Sequence, residues 1–205
     1  MIKFETIWKH SCHNEWIQRG NYFEFFLKKG TPGKCIGDAD STRYYKFKER
    51  SEVRSTELDQ GVYEWSANLE IISDTLFHAK YFSLFQVHGV ILTTKPYSSL
   101  SVKHSGFNLS SPNSSKDVPS DLLKYNRKHH INVRVVIGKK KVIVRYKIDD
   151  KHIGTTSADK LQSDKLDKNF HHDSVKPFLK FGAYRWEANC DVTQIYKDVT
   201  LIKKQ

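Results

Sequence analysis

The sequence predicts an all-β protein: an antiparallel β-sandwich or jelly roll with a concave face. Three observations predict it. Apolar residues recur at period two through most of the chain, the spacing that puts alternate side chains on one side of a strand. No stretch carries the 3.6-residue period of a long amphipathic helix. Short polar turns separate the alternating runs. The first such run is Tyr22–Lys28, rich in aromatic rings. Tyr44–Arg54 alternates for eleven residues. Val62–Ile72 and Tyr81–Thr93 are β-prone. Ile131–Ile137 and Val142–Ile148 flank Gly138-Lys139-Lys140-Lys141 and read as a hairpin. Phe178–Trp186 alternates again, and Val192–Ile202 supplies a last strand. Two polar segments interrupt the pattern. Ser105–Asn126, rich in Ser, Asn, Pro and Asp, reads as a long loop that could cover a cleft. Thr155–Lys176, with the pair His171-His172, reads as another, with room for a short helix. Neither a repeat nor a linker is evident, so residues 1–205 read as one domain.

Composition narrows the classes. The 205 residues carry 34 Lys and Arg against 23 Asp and Glu, a formal net charge of +11. Aromatic residues make up 13 %, which argues against intrinsic disorder. No run of about 18 apolar residues exists, so no transmembrane helix and no membrane partner are expected. The N-terminus, MIKFETIWKH, lacks the basic-then-apolar pattern of a secretory signal. The expected compartment is intracellular, or extracellular if a leader has been removed. Cys12, Cys35 and Cys190 are an odd number, with room for one Cys12–Cys35 bridge or three thiols. Cys12 and His13 are adjacent, but no second pair faces them in sequence, so no metal site is expected. A basic surface steers polyanions towards itself. Nucleic acid, acidic polysaccharide and anionic membrane all qualify on charge alone.

Three strips of residues carry candidate chemistry. On a strand through Glu49–Arg54, Arg50, Glu52 and Arg54 share a face and continue the row Tyr44, Lys46 and Lys48. A carboxylate between two guanidiniums holds both in fixed orientations, and the planar arginine fork suits bidentate binding of a carboxylate. In the second strip, Gln86 and His88 share a face, with Phe85 and Val87 on the other. Glutamine can donate to a carboxylate, and histidine can exchange a proton near neutral pH. In the third, Phe178, Lys180, Gly182, Tyr184 and Trp186 share one face and Leu179, Phe181 and Ala183 the other. Gly182 leaves a gap where a ligand could approach the backbone. The charge of Lys180 would favour the phenolate of Tyr184. Each strip also has a plain structural reading: a solvated sheet face with salt bridges for the first, a hydrogen-bonded pair in a polar sheet face for the second, and an aromatic-rich strand at a sheet edge for the third. Together they are the parts for proton abstraction next to a carboxylate.

These strips resemble the three signature strands of the jelly-roll polysaccharide lyases typified by the alginate lyases. Arg50, Glu52 and Arg54 match an Arg-x-Glu-x-Arg motif. Gln86, Val87 and His88 match Gln-(Ile/Val)-His. Phe178, Lys180, Gly182, Tyr184 and Trp186 match Tyr-x-Lys-x-Gly-x-Tyr-x-Gln, with Phe178 in place of the first Tyr and Trp186 in place of the final Gln. The order is the family's, and the motifs span most of the chain. The two departures open the substrate to glucuronan or a glycosaminoglycan as well as alginate.

The resemblance implies β-elimination at a 4-linked uronic acid, leaving an unsaturated uronate end. Arg50 and Gln86, with His88 assisting, would neutralise the substrate carboxylate and stabilise enolate-like charge. Tyr184 would be the acid, and also the base when proton and leaving group lie on the same side of the ring. His88 would be the base when they lie on opposite sides. Glu52 and Arg54 would brace the site, Lys180 and Lys48 would bind carboxylate, and Trp186 or Phe178 would stack on a sugar. The scheme calls for no metal or organic cofactor. It implies an anionic polysaccharide as partner, no nucleic acid, and a monomer.

Two other classes compete. A non-catalytic carbohydrate-binding module would explain charge and aromatic content without requiring His88 and Tyr184 in phase with Gln86. A nucleic-acid-binding β protein would also be basic, but the aromatic signature of the RNA-recognition sheet is absent. A serine hydrolase lacks its Gly-x-Ser-x-Gly elbow.

Overall fold

The computed structural model describes residues 4–6, 16–27, 48–73, 79–89, 96–103, 106–112, 114–119, 126–159, 176–188 and 191–205. These form fourteen strands and no helix. In chain order they are β1 (Phe4–Thr6), β2 (Trp16–Arg19), β3 (Tyr22–Leu27), β4 (Lys48–Ser55), β5 (Gly61–Ile72), β6 (Ala79–His88), β7 (Ser98–Lys103), β8 (Gly106–Ser111), β9 (Ser114–Pro119), β10 (Lys128–Ile137), β11 (Lys141–Ile148), β12 (Lys151–Asp159), β13 (Phe178–Ala188) and β14 (Val192–Lys204). They build two seven-stranded antiparallel sheets packed as a β-sandwich. The front sheet has the order β1-β4-β13-β6-β7-β8-β9, the back sheet β12-β11-β10-β5-β14-β3-β2.

Period-two alternation produces the core directly. On β5, Tyr63, Trp65, Ala67, Leu69 and Ile71 are buried, and the residues between them are half-exposed. β10 buries Ile131, Val133, Val135 and Ile137, and β11 buries Val142, Val144, Tyr146 and Ile148. The front sheet answers with Phe82, Phe85, Val87, Leu179, Phe181 and Ala183. Phe181 is the knot between the layers: its ring lies 5.1 Å from Phe23, 5.4 Å from Trp65 and 5.1 Å from Tyr196, all on the back sheet. Each such burial stabilises the fold by roughly 1.5–3 kcal/mol before entropy is counted.

The lysine-rich hairpin forms as expected. Ile137 pairs with Val142, and the Gly138 N–H donates to the Lys141 carbonyl at 2.8 Å. The next turn is Asp149-Asp150, both at positive φ (48° and 63°), the conformation that matches the twist of a two-residue hairpin.

Two expectations are corrected. Ser105–Asn126 is not a long loop: most of it is the hairpin β8–β9 at the sheet edge. Its serines and asparagine resemble loop residues because they are polar, but they bond to one another across strands. Ser99 meets Ser110 at 2.7 Å and Asn108 meets Ser115 at 2.9 Å, while Leu109 is buried. Likewise Thr155–Asp159 continues β12 and pairs with β11. Alternation also does not reveal β1, β2 or β7, which are short or rich in serine. Cys12, Cys35 and Cys190, the run Tyr44–Phe47 and the His171-His172 pair lie outside the described residues.

One irregularity shapes the front sheet. β6 carries an extra residue, Leu84, between Ser83 (opposite Ser101) and Phe85 (opposite Leu100). β13 is irregular at the same level, between Phe181 and Tyr184. The freed backbone groups are taken up by the back sheet. The Tyr196 hydroxyl lies 2.9 Å from the Leu84 carbonyl oxygen and 2.9 Å from Gln194 Oε1. Gln194 Nε2 lies 3.5 Å from the Ser83 carbonyl oxygen, and the Gly182 backbone bonds to the Tyr196 oxygen. Burial pushes the Tyr196 phenol well above its usual range, against the Gly182 bond and with a contribution from the Glu52 charge. The group therefore stays a donor.

Gly182 has φ 128°, and a Cβ there would stand 2.5 Å from the Ser51 carbonyl oxygen and 2.8 Å from Glu52 Cα. Replacing Gly182 with Ala should cost roughly 3 kcal/mol or more from combined backbone strain and overpacking. Urea unfolding measures it. An unchanged midpoint would contradict the packing described.

Candidate active site

The three strips predicted from sequence fall on β4, β6 and β13, and these strands are neighbours, with β13 in the middle. Their register is specific. Arg54 pairs with Lys180, and Lys180 with Gln86. Arg50 pairs with Tyr184, and Tyr184 with Ser83. Gly182 pairs with Glu52, Trp186 with Lys48, and Phe178 with His88. Because opposite residues on paired strands share a face, the motifs form rows across one surface of the front sheet. For Arg50, Lys48, Tyr184 and Trp186 the backbone alone is described.

The rows extend beyond the predicted residues. Gln86 pairs with Ser99, Ser99 with Ser110, and Ser110 with Ser115. Ser83 pairs with Ser101, Ser101 with Asn108, and Asn108 with Asp117. The bulge at Leu84 is what puts Ser83 and Gln86, three residues apart, on the same side. Asn108 Nδ2 donates to Asp117 Oδ1 at 2.7 Å and so ends its row in an acceptor. Sequence reasoning missed this serine-rich half. The signal was present in the alternation Ser99-Leu100-Ser101-Val102, whose Leu100 and Val102 are buried core.

At the centre lie charged and polar groups with little exposure: Glu52 at 5 %, Lys180 at 8 % and Gln86 at 6 %. Lys180 Nζ lies 3.6 Å from Glu52 Oε2. The carboxylate of the first strip is thus paired to the lysine of the third. The Gln86 amide makes no hydrogen bond to any described residue. A glutamine amide carries two donors and so can take a ligand that offers an acceptor.

A second cluster lies one row away. The Phe178 and His88 rings stack with centroids 5.6 Å apart and 17° between planes. The Arg54 guanidinium carbon lies 5.4 Å from the same Phe178 ring centroid. His88 Nδ1 is 3.3 Å from the Gly89 carbonyl oxygen. Gly89 is glycine by necessity of contact, since a Cβ would stand 2.4 Å from the Tyr97 ring.

One expectation about this surface is corrected. Gly182 does not open a gap for a ligand. The space a side chain would need is filled by Ser51, Glu52 and, from the back sheet, Phe25 at 3.2 Å. Its role is to let β13 pass close to β4.

Among the described residues no cluster of three or more His, Cys, Asp or Glu side chains is arranged to hold a metal ion. Among them, too, no helix is long and apolar enough to cross a membrane.

The fold is a β-sandwich similar to that of the alginate lyases, as the resemblance implied. Alginate lyase AlgAT5 of polysaccharide lyase family 7 superposes with a TM-score of 0.57 at 11 % identity, over 96 % of this chain and 85 % of that one. The alginate lyase of a Corynebacterium species gives 0.55 at 11 % identity, over 93 % and 81 %. The polysaccharide lyase family 18 protein aly-SJ02 gives 0.54 at 12 % identity, over 98 % and 95 %. At such identities the likeness is one of fold. No family model and no curated protein matches the sequence.

The buried pair yields a prediction. Replacing Lys180 with Met should destabilise the fold by roughly 3 kcal/mol, because a carboxylate is left buried without its ammonium. Adding Glu52→Gln should recover part of that loss. Strictly additive losses in urea unfolding would show that the two groups do not interact.

Proposed function

We propose that the front sheet is the active site of a polysaccharide lyase that cleaves a 4-linked uronate polymer by β-elimination. The observation that carries the reading is the register of β4, β13 and β6, which lines Arg54, Lys180 and Gln86 in one row and Arg50, Tyr184 and Ser83 in another. The likeness of fold to alginate lyases supports it.

In this reading the substrate carboxylate meets the Gln86 amide from one row and the long side chain of Arg50 from the other. They offset its charge and make the C5 proton removable. A base takes that proton. The C5–H electron pair becomes the C4=C5 double bond, the C4–O4 bond breaks, and O4 leaves with a proton. The register bears on which group moves the protons. Gln86 lies between the two candidates: His88 is two residues away on its own strand, and Ser83, opposite Tyr184, is three residues away in the other direction. A uronate anchored at Gln86 is therefore flanked by His88 on one side and Tyr184 on the other. Tyr184 protonates O4. Where H5 and O4 lie on the same side of the ring, Tyr184 also takes H5. Where they lie on opposite sides, His88 takes it.

Mannuronate and glucuronate have H5 and O4 on the same side, and guluronate, the C5 epimer of mannuronate, does not. Absorbance of the unsaturated end, followed with each polymer, separates the roles. Tyr184→Phe should lose at least about a thousandfold in turnover on any polymer cleaved, about 4 kcal/mol of barrier, while still binding. His88→Ala should keep turnover on polymannuronate or glucuronan and lose it on polyguluronate. No rise with any polymer, despite binding, would favour a carbohydrate-binding module. Equal loss on polymannuronate and polyguluronate in His88→Ala would contradict the division of roles.

A further inference from the structure

The back sheet carries a second polar surface on the opposite side of the sandwich. A groove of about 510 Å³ there is lined by Glu64, Asn132, Arg134, Arg145, Lys147, His152 and Thr155. Four adjacent strands supply it, and the register again forms rows. Glu64 pairs with Arg134, Arg134 with Arg145, and Arg145 with Thr155. Asn132 pairs with Lys147, and Lys147 with His152.

Arg134 and Arg145 are therefore directly opposed like charges, an arrangement that destabilises a sheet. Neither they nor Lys147 form an ion pair among the described residues. Among the described residues, Glu64 is the one carboxylate lining the groove, and it lies 2.8 Å from Lys204 on β14 instead. A bulge in β12 shapes the far side of the groove. Between Tyr146 and Lys147 the register shifts, so Ile153 turns inward and is buried while His152 stays exposed beside Lys147. Bulges of this kind re-aim side chains at binding surfaces. The exposed Lys139–Lys141 turn continues the positive charge at the end of the same hairpin.

We propose that this groove is a second binding site for an anionic polysaccharide, separate from the front face. The two arginine forks take carboxylate or sulfate groups in bidentate fashion. Asn132, Thr155 and the Glu64 carboxylate serve sugar hydroxyls, a role in which a carboxylate fits a sugar chain better than a phosphodiester backbone. Single-stranded nucleic acid is bound by stacking platforms, and among the described residues no Phe, Tyr or Trp ring lines this groove. The site would hold a long polymer to the protein while the front face works on it. In naming the polymer, though not in placing the site, the inference rests on the function proposed above.

The test is fluorescence anisotropy of labelled polymannuronate, heparin and a single-stranded DNA with the full chain and two variants. The back-face variant is Arg134→Gln/Arg145→Gln, and the front-face variant is Arg50→Gln/Tyr184→Phe. The back-face variant should bind at least one polysaccharide roughly tenfold or more weakly, with a thermal midpoint equal to or above wild type because a repulsion is removed. The front-face variant should retain salt-sensitive binding. Should the double variant unfold, Lys147→Gln provides the same comparison with a smaller loss. Unchanged polysaccharide affinity in the back-face variants would overturn the site, and a loss confined to DNA would overturn its ligand. Turnover without back-face dependence would remove this inference alone. Binding that depends on Arg134 and Arg145 in a protein with no lyase activity would remove the front-face reading and leave this one.

Discussion

The front face depends on a hydroxyl in the core. Tyr196, on the back sheet, bonds to the Leu84 carbonyl and receives the Gly182 backbone, at the level where β6 and β13 both depart from regular pairing. A buried carbonyl freed by a bulge needs a partner, and in an apolar core few groups can serve. Gln194 takes the neighbouring Ser83 carbonyl and also lies against the Tyr196 hydroxyl. With these bonds the bulge is stable. The bulge shifts the phase of β6, so that Ser83 and Gln86 look outward while Phe82 and Phe85 look in. Without it, either the serine row or the glutamine row would face the aromatic core.

Gly182 is part of the same device. Its missing side chain lets β4 and Phe25 close in, and the closeness of β4 brings Glu52 to Lys180. The result is a polar surface whose central charges are paired and shielded from water, where electrostatic interactions are stronger than at an open surface. The back sheet is built differently. Its arginines are opposed to one another across the strands, so its field reaches further into solvent but weakens with salt. The proposed tasks differ accordingly, one face to hold a reacting sugar in register and the other to retain a polyanion.

Much of this was legible in the residues. Alternation alone located most of the core strands, and it carried the Arg50–Arg54, Gln86–His88 and Phe178–Trp186 motifs onto β4, β6 and β13. What alternation does not carry is pairing. That β13 lies between β4 and β6 follows from contacts between residues far apart in sequence. Ser105–Asn126 misled because serine and asparagine bond across strands as readily as they fill turns. Gly182 misled because an absent side chain on a polar strip reads as space for a ligand, while a neighbouring strand fills it. The back-face arginines gave no signal as a pair, since Arg134 and Arg145 become neighbours only through the β10–β11 register.

The most direct test of the central claim is a crystal structure of the Tyr184→Phe variant with a mannuronate oligosaccharide. The account predicts one uronate carboxylate within hydrogen-bond distance of the Gln86 amide and Arg50, its ring lying between His88 and residue 184. An oligosaccharide that leaves Gln86 without a contact, or whose rings all lie away from residue 184, would contradict it.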